Sequence, residues 1–169
     1  MFDINIFNKM NEKEKYDNML TMLESLVKDE LDDISNLCNS VALIKALVDK
    51  LNWCGFYLIK DNELVVGPFQ GMPACSRIKI GRGVCGTSVK EKRILNVGDV
   101  HKFEGHIACD CASNSELVIP IVKENKIYGV LDMDSPEIDR FKEVEVEYLK
   151  KCVEILNKYV NWEKVVSFK

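Results

Sequence analysis

Two stretches of this sequence, 52–69 and 116–134, constrain the fold more than any others. In the first, "NWCGFYLIK" (52–60) and "ELVVGPF" (63–69) flank the short polar turn Lys60-Asp61-Asn62. In the second, "ELVIPIV" (116–122) and "IYGVLDMD" (127–134) flank the turn "KENK". Aromatic and β-branched runs of strand length, bounded by turns of this kind, read as antiparallel hairpins. Side chains alternate between the two faces of a strand. Asp132 and Asp134 therefore share one face, with Gly129, Leu131 and Met133 on the other, and Trp53, Gly55 and Tyr57 likewise share a face.

The flanking segments have a helical period. Residues 12–29 place Tyr16, Leu20, Leu23 and Val27 on one face, with Asn11 and Glu14 spaced as a capping box. From Leu31 to Leu51, Ile34, Leu37, Val41, Ile44, Val48 and Leu51 step by threes and fours. A last helix is predicted from about 142 to 163, with Glu143, Glu145 and Glu147 favouring its N-terminal dipole. Between the hairpins, residues 70–114 dissolve into Gly, Pro and polar residues, apart from a short helix near 86–91 and a strand at 94–96. An irregular segment of that length inside a compact domain is usually functional. The order predicts an α+β fold in one domain over 1–169. A central antiparallel β-sheet carries the N- and C-terminal helices on one face and long active-site loops on the other.

Composition narrows the function classes. The chain has 169 residues, 47% hydrophobic and 30% charged, as in an ordinary globular domain. A net charge of −4 and a pI near 5.3 give no general attraction to nucleic acid or an anionic membrane. No signal peptide or membrane-length apolar run is visible, so a cytoplasmic location is expected. Seven cysteines are an odd count and no disulfide framework. Cys38, Cys54 and Cys152 fall at apolar positions and read as buried filler. Cys75, Cys85, Cys109 and Cys111 lie in the irregular segment and call for a chemical explanation.

Three chemistries compete for that segment. "GRGVCG" (81–86) matches G-x-G-x-x-G but follows no strand of a βαβ unit, so it reads as a turn into a short helix rather than a dinucleotide site. It would set Cys85 near a helix N-terminus, where a thiol is acidified. A zinc site could draw on Cys75, Cys85, Cys109, Cys111 and His106, but their spacing fits no common zinc module. A redox centre needs a thiolate, a second thiol and an activating pocket. Asp132, Asp134 and Glu116 supply clustered carboxyls, and Trp53 and Tyr57 an aromatic wall, for a small cationic substrate.

The blocks "NWCGFYL", "VVGPFQGMPACSRIKIGRGVCGTSV", "VGDVHKFEGHIACDCASNSELVIPI" and "GVLDMDSPEIDRF" resemble the signature segments of the free methionine-(R)-sulfoxide reductases, which are built on a GAF domain. The resemblance covers residues 12–160. It implies reduction of the R epimer of free methionine sulfoxide, with Cys75, Cys85 and Cys109 as the family's cysteines. It implies a substrate pocket of Trp53, Tyr57, Glu116, Asp132 and Asp134. Carried over, Cys109 attacks the sulfoxide sulfur and Asp134 donates the proton. Glu116 orients the oxygen, Asp132 holds the substrate ammonium, and Trp53 faces the S-methyl group. Cys75, ahead of Cys85, resolves the sulfenic acid. Thioredoxin, reduced by NADPH through thioredoxin reductase, recycles the enzyme; no bound cofactor or metal is implied. His106 reads as loop packing, and Cys111 departs from the family pattern. The terminal helices could pair two copies as a homodimer.

Overall fold

The computed structural model describes residues 4–107 and 110–167. A 3₁₀ turn at Ile4–Lys9 leads into α1 (Glu12–Val27) and α2 (Asp33–Leu47). Asn11 caps α1 through the full capping box with Glu14, and Asp32 caps α2 by accepting from the Ser35 N–H. The first hairpin is β1 (Trp53–Lys60) and β2 (Glu63–Gln70); the second is β5 (Ser115–Lys123) and β6 (Lys126–Ser135). Between them lie β3 (Arg77–Lys79), α3 (Gly83–Glu91), β4 (Leu95–Val97) and a 3₁₀ turn at Val100–Lys102. The chain then forms α4 (Glu143–Tyr159) and α5 (Trp162–Ser167).

Both hairpins close through two residues with positive φ, Asp61 (51°) with Asn62 (62°), and Glu124 (52°) with Asn125 (65°). That backbone matches the right-handed twist of paired strands. The hairpins join through β1 and β6 into one six-stranded sheet of order β3-β2-β1-β6-β5-β4, antiparallel throughout. The segment expected to be irregular thus supplies both edge strands. β3 was not anticipated, because three residues are too few to show a period, and its Ile78 alone is buried.

Each sheet face has its own core. Cys54, Phe56, Leu58, Leu117, Leu131 and Met133 point into a layer built by α1, α2, α4 and α5. Trp53, Tyr57, Val118 and Val130 point the other way, under α3 and the long loops. The predicted last helix is in fact two, broken after Tyr159. Asn161 makes the break: its side chain accepts from the Lys164 N–H, and its own N–H donates to Asp33. Cys38 corrects another expectation. It lies on the outer side of α2 and is exposed, whereas Cys54 and Cys152 are buried. Among the described residues, no helix is long and apolar enough to cross a membrane.

Candidate active site

Strand register places the polar residues of the loop-covered face. Trp53 on β1 pairs with Asp134 on β6, and Asp134 pairs with Glu116 on β5, so the three stand in one row across adjacent strands. The next row is Gly55, Asp132 and Val118, and the following one brings Tyr57 opposite Val130. The alternation expected from "GVLDMD" therefore holds. α3 covers these rows and brings Cys85 Sγ to 3.8 Å from Glu116 Oε1.

Trp53 forms the aromatic wall. Its ring stacks on Phe69 at 5.3 Å and on Tyr57 at 5.8 Å between centroids, and its Nε1 donates to the Met72 carbonyl at 3.2 Å. Gly55 makes room for that ring: a Cβ there would lie 2.6 Å from Trp53 Cη2 and 2.4 Å from Phe69 Cβ. Gly86 has a similar use, since a Cβ on it would come within 2.4 Å of the Lys79 carbonyl oxygen. Gly86 of "GRGVCG" thus serves the close seating of α3 on the end of β3. The rows line a cavity of about 40 Å³.

Electrostatics in this cavity run against ionisation. Glu116 and Asp132 are buried and Asp134 is partly buried. Burial, reinforced by Asp132 and Asp134, holds the Glu116 carboxyl well above the usual carboxylate range. Burial, then Asp132 and Asp110, does the same to Asp134. Burial pushes Asp132 up to about 7, and its Oδ1 has no hydrogen-bond partner among the described residues. Three carboxyls this close cannot all be charged, so the site retains protons near neutrality.

Cys85 corrects the expectation of an acidified thiol. It does sit in the first turn of α3, but burial and the charges of Asp132 and Glu116 push its thiol well above its ordinary range. Desolvation outweighs the helix dipole here. His106 lines the same cavity, with Nε2 3.8 Å from Glu116 Oε2. Burial lowers the imidazole while Glu116 is raised, so the two meet as neutral groups. The zinc donors weighed from sequence are not brought together: Cys85 and His106 line this cavity, whereas Cys75 is disulfide-bonded and Cys111 is exposed. Among the described residues, the donor atoms of Cys85, Glu116 and Asp132 lie within 4.8 Å of one another, at the centre of the cluster.

The loop thiols divide. Cys75 is disulfide-bonded, and its carbonyl accepts from the Tyr57 hydroxyl at 2.9 Å. Cys111 is free and exposed. Cys109, the expected nucleophile, lies outside the described residues. Sequence reading did not single out Asn52, Asp110 and Ser113, which line or brace the site. Their only signal was position, Asn52 directly before the aromatic strand and the other two just after "AC".

The model for the GAF domain matches residues 23–159. The chain is a GAF domain. Its relatives narrow the kind. This GAF domain is 46% identical over 149 residues to the free methionine-R-sulfoxide reductase of Escherichia coli, covering 88% of this chain and 90% of that one. The substrate-complex structure of the Staphylococcus aureus protein called fRMsr shares 50% identity and a TM-score of 0.82, over 86% of this chain and 95% of the other. The free methionine-R-sulfoxide reductase of Neisseria meningitidis, also with its substrate, shares 39% identity and a TM-score of 0.86, over 92% and 94%.

Proposed function

We propose that this GAF domain reduces free methionine-(R)-sulfoxide to methionine. The observation that carries the reading is the row Trp53-Asp134-Glu116 with Asp132 beside it: clustered carboxyls that hold protons next to an aromatic wall in one pocket. The kinship to reductases of that name supports it.

In the scheme, the Cys109 thiolate attacks the sulfoxide sulfur while Asp134 protonates the departing oxygen. The protonated oxygen then passes to Sγ as the bond between Sγ and the substrate sulfur breaks, so methionine leaves with that bond's electron pair on its sulfur and Cys109 becomes a sulfenic acid. Glu116 orients the oxygen, Asp132 meets the substrate ammonium with its unpartnered Oδ1, and Trp53 faces the S-methyl group. The Cys75 thiol then displaces water from the sulfenic acid and forms a disulfide. A disulfide at Cys75, with five free cysteines among the other described residues, supports a redox use for it. Cys85, free and raised, suits the pocket better as a lining thiol than as the resolving one. Reduced thioredoxin, regenerated by NADPH, returns both thiols. The chain acts as one cytoplasmic domain over 1–169 with no bound cofactor.

The test is NADPH consumption in the presence of thioredoxin, its reductase and each epimer of free methionine sulfoxide. Oxidation of NADPH with the R epimer and none with the S epimer is expected. No consumption with the R epimer would sink the reading.

A further inference from the structure

The start of β1 and the loop beginning at residue 110 meet at Asn52. Its backbone N–H donates to the Asp134 carbonyl at 3.0 Å, which seats it against β6. Its side-chain amide spends both hydrogens on the loop. Nδ2 donates to Asp110 Oδ2 at 3.0 Å and to Ser113 Oγ at 2.9 Å. Asp110 also closes an Asx turn, its Oδ1 accepting from the Ala112 N–H at 2.9 Å. Ser113 is buried, lines the cavity with Asp134 and favours the charged form of its carboxyl.

We propose that Asn52 is a positioning residue for the reductase reaction: it docks residues 110–113 onto the sheet and thereby fixes the Asp110 carboxylate beside Asp134. The inference rests on Asp134 being the acid of the scheme above. Groups face Asp134 from every side: Asp132 on its own strand, Glu116 on β5, Tyr57 on β1, Cys85 on α3, and His106 and Asp110 from the loop. Of these, Asp132 and Asp110 repel its charge, while Ser113 stabilises it. Asp132 is fixed by the β-ladder. Asp110 stands in the loop, with its carboxylate held by the Asn52 amide and the Ala112 N–H. A negative charge docked there makes Asp134 hold its proton to higher pH, and loss of the clamp removes that effect.

The experiment compares the pH dependence of kcat for the parent protein, Asn52→Ala and Asp110→Asn, with a thermal melt of each. Asn52→Ala should lower kcat roughly ten- to a hundredfold, the scale expected when a reacting group is misplaced by about an ångström. Its alkaline limb should move to lower pH. Asp110→Asn keeps an oxygen that can accept from Asn52 but loses the charge. Its kcat on the acidic side should stay well above that of Asn52→Ala, while its alkaline limb moves the same way. A purely structural clamp would lower the melting point without moving either limb. Unmoved limbs in a parent that turns over would overturn this inference alone, and a parent without turnover would overturn both readings. If Asn52→Ala fails to fold, the limb of Asp110→Asn decides.

Discussion

Gly55 occupies a point where a single added methyl would meet both the Trp53 ring and Phe69. Gly55→Ala should therefore push the aromatic wall out of place, with a loss of about 1–3 kcal/mol of stability from overpacking. Chemical denaturation would read the loss, and a raised KM would show the damage to the pocket. Cysteine chemistry offers a second check at this scale. Cys38 and Cys111 are exposed, so a thiol reagent should label them in the folded protein. Cys54, Cys85 and Cys152 should label only on unfolding, being buried and pushed above the ordinary thiol range, Cys152 to about 12. Peptide mapping by mass spectrometry distinguishes the sites; early labelling of Cys85 would contradict its burial. The sequence reading grouped Asp132 with Asp134, and Trp53 with Tyr57, because strand alternation puts side chains on faces without any tertiary information; Cys85 it marked only as a thiol near a helix start. It missed the exposure of Cys38, since a helix face is set by what packs against it. It also missed Asn52, whose partners lie 58 and 61 positions away.

At the scale of elements, the hairpins were legible because each turn is local chemistry: two residues that tolerate φ > 0 between strands. α3 was legible only in part. Its first turn depends on the Lys79 carbonyl leaving room for Gly86, which is a contact between elements. The helical layer holds one polar knot that no periodicity reveals. Glu145 on α4 is buried, accepts from the Tyr16 hydroxyl of α1, and pairs with both Arg140 nitrogens at 2.5 and 3.0 Å. Arg140 also donates to the Asp49 carbonyl at 3.0 and 2.6 Å, beyond the end of α2. Helices α1 and α4 are thus tied through one carboxylate, and Arg140 extends the tie to the segment after α2. Glu145→Ala would strand a largely buried guanidinium, a change that typically costs about 3–5 kcal/mol. The melting temperature should fall steeply while the redox chemistry, on the opposite face of the sheet, keeps its pH profile at low temperature. A shift of less than a degree would show the knot to be dispensable.

For the whole molecule, the acid cluster links function to stability. Glu116, Asp132 and Asp134 have folded pKa values above those of the unfolded chain. Between the unfolded and folded values the native state binds more protons than the unfolded one, so stability falls as pH rises through that window. Each carboxyl still protonated in the native state and ionised in the unfolded one contributes a loss of about 1.4 kcal/mol per pH unit. Melting temperature should therefore drop from about pH 5 towards pH 8. Glu116→Gln should flatten that slope and raise the melting point at pH 8, while lowering the reductase rate. A steeper slope in the variant would refute the assignment. The α+β architecture itself was readable from the order of elements. The sheet order was not, because the pairing of β1 with β6 joins residues some eighty positions apart.

The stack of Phe69, Trp53 and Tyr57 ends in a hydroxyl bonded to the carbonyl of Cys75, so an optical reporter is wired to the disulfide-bonded cysteine. The chain has only two tryptophans, and the other, Trp162, is buried in the helical layer on the far side of the sheet. A Trp162→Phe protein would leave a single indole whose emission answers to the pocket and the Cys75 disulfide. Turnover could then be followed in real time without a coupled assay or an added dye.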